Sequence, residues 1–147
     1  MSTETSSAKR LRQRGSSSAT VRVLRYGGVA ALLVSAVVHG VLAPSYGASQ
    51  PGLNLGKQFV AQAILTAAVA VWLLLRDTPL VWLVGALVMA GTAGALIVAH
   101  GPGIPQIGPM PGVREQIWDG PQLVTLVAEL LFVLLAVTRA LIGWRRR

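Results

Sequence analysis

Between residues 21 and 142 the chain carries four apolar stretches, at about 21–43, 59–75, 79–99 and 121–142, separated by short polar or Pro/Gly-rich segments. About 20 mostly apolar residues are needed to cross the hydrocarbon of a bilayer. In hydrocarbon no water is at hand for backbone N–H and C=O groups, so each crossing segment must satisfy them itself, as a helix does. The expected fold is therefore all-α: a four-helix transmembrane bundle with up-down-up-down order, spanning residues 20–147 after a tail at 1–19. That tail is basic and rich in Ser and Thr, and with no apolar periodicity it reads as disordered.

Composition fits a chain whose solvent is lipid. Only 18 of 147 residues are Asp, Glu, Lys or Arg, where an average soluble domain of this length would have about 37. There is no cysteine, which excludes disulfides, a thiol nucleophile, thiolate-bound zinc and a cysteine-ligated iron–sulfur cluster. The net charge of +8 does not form a nucleic-acid footprint, because the basic residues are not interleaved with aromatics along one stripe. Lys9, Arg10, Arg12, Arg14, Arg22 and Arg25 sit before or at the start of the first span. Arg145, Arg146 and Arg147 follow the fourth.

With Arg76 and Arg139, the two ends and the turn between spans two and three hold 11 of the 13 Lys and Arg residues. The positive-inside rule then places both termini in the cytoplasm of a multi-pass cell-membrane protein. The basic termini lie where they would meet anionic lipid headgroups. The first span resembles a signal peptide, with Val41-Leu42-Ala43 as a cleavage-like site. Pro44 is unfavourable after such a cut, and the span is expected to remain.

Thr78 or Asp77, before Pro79, is the expected cap for the third span, and Asp119-Gly120-Pro121 repeats that pattern before the fourth. Trp72, Trp82, Trp118, Trp144, Tyr26 and Tyr46 fall near span ends, where aromatic residues anchor at the membrane interface. Residues 101–120 contain Pro102, Pro105, Pro109 and Pro111 with five glycines, which excludes a helix over most of the loop. Its apolar residues Ile104, Ile107, Met110, Val113 and Ile117 suggest a segment folded back over the bundle mouth. His39-Gly40 and His100-Gly101 both open a His-Gly-x-x-x-Pro pattern at the end of a span, a weak internal repeat.

The polar residues inside the spans form stripes, since residues three or four apart share a helix face. Ser35 and His39 lie on the first span, Gln58, Gln62 and Thr66 on the second, and Gln122, Thr125 and Glu129 on the fourth. Glu129 stands eight residues after Pro121, about 12 Å along a helix. Unpaired polar groups are costly in hydrocarbon, so these should face one another in a pocket opening outward. The expected pocket comprises His39, Gln62, Glu129, Ser35, Thr66, Thr125 and His100. No catalytic set, phosphate loop, cofactor motif or metal-ligand spacing is present. Small residues at Ala90/Gly94 and Gly91/Ala95 would let another helix approach closely, within this bundle, in a homo-oligomer or in a larger membrane complex.

His39 followed by Ala43-Pro44, Gln62 after an alanine, Gly103-Ile104-Pro105, Gly108-Pro109 and Ala128-Glu129-Leu130 together resemble a group of uncharacterised four-span actinobacterial membrane proteins. The likeness covers residues 30–135. Where that group would carry a second histidine after Ala43-Pro44, this chain has Ser45-Tyr46. The resemblance implies membrane location and no assigned activity. Three expectations follow, in order. The first is an accessory or scaffold membrane protein with an outward polar pocket. The second is a pocket handling a proton or small ligand in a transporter or sensor. The third is a metal- or haem-bearing redox subunit.

Overall fold

The computed structural model describes residues 3–49, 51–110 and 112–144. It is all-helical, with α1 (Thr3–Leu42), α2 (Leu55–Leu75), α3 (Pro79–His100) and α4 (Gly120–Trp144). All four are long and apolar enough to cross a membrane, α1 over its Ala19–Leu42 portion. The chain is in that sense a multi-pass membrane protein. Arg145, Arg146 and Arg147 lie outside the described residues, as do the side chains of the basic tail.

Two boundaries differ from the sequence expectation. The segment read as a disordered tail is continuous with the first helix, which starts at Thr3. The physical reason is cooperativity: once the span nucleates a helix, adding residues is cheap, and the run from Ala8 to Arg14 consists of good helix formers. The second helix begins at Leu55 rather than near 59. Asn54 caps it by accepting the Lys57 N–H at 3.0 Å, so Lys57 and Gln58 belong to its first turn.

The two Pro-containing helix starts form as their residues dictate. Thr78 caps α3 with Pro79 in the first turn. At α4 the Gln122 N–H donates to Asp119 Oδ1 at 2.8 Å, while the Asp119 N–H donates to Gln122 Oε1 at 3.2 Å. That exchange is a capping box with Asp and Gln in the two roles.

Packing is unequal around the bundle. α1 packs closely on both α2 and α4, α3 packs on α4, and α2 meets α3 only sparingly. Leu32, Leu73, Val81, Met89 and Phe132 are fully buried. Trp82 stacks on Phe132 with ring centroids 5.4 Å apart. At 4% exposure it is a core residue and not the interface anchor expected, because its indole N–H finds Asp77 Oδ1 at 2.6 Å. A buried Trp needs such a partner. Asp77 also pairs with Arg139 at 3.3 Å, tying the α2–α3 turn to α4. Arg25 donates to the Leu73 carbonyl at 3.0 Å and to the Leu74 carbonyl, closing the end of α2 where helix carbonyls lack partners. Val37, Ile64, Leu87, Val127 and Leu134 point outward, an apolar exterior suited to lipid.

Gly56 sits where backbone meets backbone: a Cβ there would lie 2.4 Å from both the Ala43 oxygen and the Ala48 nitrogen. Gly91 has nothing within 4 Å of such an atom. Gly56→Ala should therefore destabilise the fold by about 1–3 kcal/mol through overpacking. Gly91→Ala should be neutral or stabilising by up to about 1 kcal/mol. Thermal melts of the two variants in one detergent check this, and equal melting temperatures would contradict the packing at Gly56.

Candidate functional site

Many polar residues of the spans gather with Leu42, Phe59, Leu96 and Gln122 around one site. There a cavity of about 260 Å³ is lined by all four helices and by the loop after α3. That is just below the roughly 300–1,000 Å³ of drug-sized sites. Hydrocarbon forms most of the wall. Glu129 and Thr125 from α4, His39 from α1, and Gln62 and Thr92 from α2 and α3 supply polar groups.

Glu129 is completely buried. Its Oε1 accepts the Ser35 hydroxyl at 3.2 Å, while its Oε2 has no hydrogen-bond partner. Thr92 stands beside the carboxyl, but its hydroxyl already donates to its own helix, to the Val88 carbonyl at 3.0 Å and the Met89 carbonyl at 3.2 Å. Thr125 Oγ1 is likewise buried without a partner. His39 Nδ1 donates to the Ser35 carbonyl at 2.9 Å. A carbonyl can only accept, so the neutral ring carries its proton on Nδ1 and keeps Nε2 as an acceptor. Phe59 meets the His39 ring edge-on at 5.2 Å and lies 4.8 Å from the Tyr46 ring.

Of the seven residues expected in the pocket, His39, Gln62, Thr125 and Glu129 line it. Ser35 stands behind the wall and holds Glu129. Thr66 is fully buried and bonds back to its own helix, donating to the Gln62 carbonyl at 2.7 Å. His100 is turned away from the cavity. Its ring stacks on Trp118 at 3.7 Å, and its nitrogens meet the Leu96 carbonyl at 2.9 Å and the Gln122 side-chain amide at 3.0 Å. Both histidines thus bind the carbonyl four residues back, yet only His39 reaches the cavity. Among the described residues no three His, Asp or Glu side chains come together as a metal site would need.

Four further positions of the site's hydrogen-bond network lay outside the expected set. Gln122 is a hub, since its Nε2 also donates to the Tyr46 hydroxyl at 3.4 Å. Tyr46 in turn donates to Glu115 at 3.4 Å. Thr92 accepts from Gln62 Nε2 at 3.4 Å. Gln122 was visible as a stripe member with Thr125 and Glu129. The other three carry no periodic signal, because their roles come from contacts between elements.

The loop after α3 is more ordered than its proline content implies. Ile104 and Val113 exchange backbone hydrogen bonds at 2.7 and 2.9 Å, as do Ile107 and Met110 at 3.2 and 3.0 Å. Gly108 has φ +57° and precedes Pro109. A positive-φ glycine in the first central position is what a two-residue type II′ hairpin turn requires. The hairpin sets Ile104, Ile107, Met110 and Val113 over the cavity, while Ile117 is left 79% exposed. Comparison with protein-family models, curated proteins and solved structures finds no match to this chain.

Burial raises the Tyr46 phenol above its ordinary value of 10.0. The nearby Glu115 and Asp119 charges push the same way, against the Gln122 hydrogen bond. Because the fold favours the neutral phenol, its stabilising contribution is intact below about pH 10. It is lost as pH rises through the higher folded value. In a Tyr26→Phe background, ultraviolet titration should place the midpoint above 10, and Glu115→Gln should lower it. A midpoint unmoved by Glu115→Gln would remove the carboxylate from the tyrosine's surroundings.

Proposed function

We propose that this chain is a four-span cell-membrane protein, with both termini in the cytoplasm, whose outward-facing cavity binds a small molecule for a sensor or transporter. One observation carries the reading: the cavity is lined by four helices and a hairpin, and one of its lining residues, Glu129, has a fully buried carboxyl oxygen with no donor. A buried polar group without a partner is costly, and an intramembrane carboxyl is a functional-site candidate by default. The up-down-up-down order is supported by contacts at both ends. Ser35, late in α1, meets Glu129, early in α4, and Arg25, early in the α1 span, meets the last carbonyls of α2. The charge bias supports the orientation. This reading keeps the chain beside the four-span actinobacterial proteins it resembles.

The accessory or scaffold reading is favoured by a different observation. Ala90, Gly91 and Ala95 are exposed on α3, and Gly91 and Gly94 have open space beside them, a face that admits another helix closely. A stoichiometric partner or homo-oligomer lost on Gly91→Leu would select it.

The absence of native cysteine makes topology directly measurable. Ser45→Cys should react with a membrane-impermeant maleimide in intact cells, and Ser17→Cys only after permeabilisation. The reverse pattern would overturn the orientation. For the cavity, native mass spectrometry of the purified protein should detect a small-molecule adduct that Ala95→Phe, which fills the cavity, removes without unfolding the chain. An adduct that persists in Ala95→Phe would place binding elsewhere.

A further inference from the structure

We infer that the cavity takes a small lipophilic amine, its nitrogen on Glu129 and its hydrocarbon body under the loop hairpin. The inference rests on the small-molecule reading above and names the ligand's chemistry. Among the unused polar atoms of the lining, a carboxylate oxygen and an imidazole lone pair are acceptors, and a threonine hydroxyl both accepts and donates. Glu129 Oε2 and Thr125 Oγ1 are buried without partners, and the Ser35 carbonyl's claim on the Nδ1 proton leaves His39 Nε2 as a lone pair. An ammonium group offers three donors and no acceptor, and it matches such a lining. A carbonyl or carboxylate ligand would find one donor there, the Thr125 hydroxyl, and would set its acceptors against Glu129 Oε2 and His39 Nε2.

Charge points the same way. The lining holds two carboxyl side chains, Glu115 and Glu129, and no Lys or Arg. Among the described residues the one ion pair joins Arg139 to Asp77, at the other end of the bundle. An amine and the Glu129 carboxyl together carry no net charge whichever of them holds the proton. That neutrality is what a low-dielectric site demands of a buried pair.

The remaining wall specifies the body of the ligand. Leu42, Phe59, Leu96, Ile104 and Met110 present hydrocarbon, and the volume suits a molecule smaller than a drug. The cavity lies beside the gap where α2 and α3 meet sparingly, and Ala95 lines it while remaining exposed. An apolar amine therefore has a route in from the surrounding lipid.

Phenethylamine, 2-phenylethanol and phenylacetate share one body and differ in the head group. Titrated calorimetrically into the full chain in detergent, the amine should bind about tenfold or more tighter than the alcohol, as expected of a hydrogen bond to a charged group. Phenylacetate should bind weakest. Glu129→Gln, which retains an acceptor for Ser35, should reduce the amine to the affinity of the alcohol, and Ala95→Phe should abolish binding of both. Alcohol or acid binding as tightly as the amine, with Ala95→Phe still blocking, would overturn the amine inference and leave the small-molecule reading standing. Binding of none of the three would overturn both. If Glu129→Gln fails to fold, the comparison of head groups on the native protein remains decisive.

Discussion

The Glu129 carboxyl has no access to solvent and sits among four apolar helices, where each polar atom must find its partner inside the protein. One oxygen does so through Ser35, which joins α4 to α1. Much of the upper bundle follows from that bond. Ser35 also gives its carbonyl to His39, which orients the imidazole, and Phe59 packs on the imidazole edge. The other oxygen has no hydrogen-bond partner, on a residue that lines the cavity. Supporting the carboxyl on one side only leaves it anchored and unsatisfied at once.

The opposite end solves the same problem differently. Asp77 accepts from Trp82 and Arg139, and Arg25 covers the carbonyls that end α2. This charged pair has partners on three elements and lies beside the core that holds Leu73, Trp82 and Phe132. The bundle is thus asymmetric along its length, with an Asp–Arg ion pair in which Arg139 Nε is buried without a partner at one end and an unpaired carboxyl oxygen at the other. It is also asymmetric around its axis, because α2 and α3 meet only sparingly while the other neighbouring pairs pack closely. The cavity occupies the place where both asymmetries coincide.

A non-helical roof over such a cavity must pair its own peptide groups, since an open peptide group over hydrocarbon lacks partners. Residues 101–119 meet that need with a short hairpin whose turn depends on Gly108 before Pro109. Gln122 then fastens the roof's surroundings, joining the α4 cap to His100 and Tyr46. Cap chemistry and site architecture are here one set of bonds.

Period, length and punctuation determined the helices. Four long apolar runs left the backbone no other way to satisfy itself, and Thr78-Pro79 and Asp119-Gly120-Pro121 marked two starts to within a residue. The stripes placed His39, Gln62, Thr125 and Glu129 on faces that share a depth, since that follows from 3.6 residues per turn. Which of these groups meet was decided by packing. Nothing in spacing distinguishes His39 from His100, yet one lines the cavity and the other stacks on Trp118. Nor does it distinguish Trp82, which stacks on Phe132 in the core, from Trp118 at the surface. Local sequence acts over a few residues and sets where a side chain lies along its helix. The partner that satisfies it, and whether any does, depends on how separate helices rotate and approach.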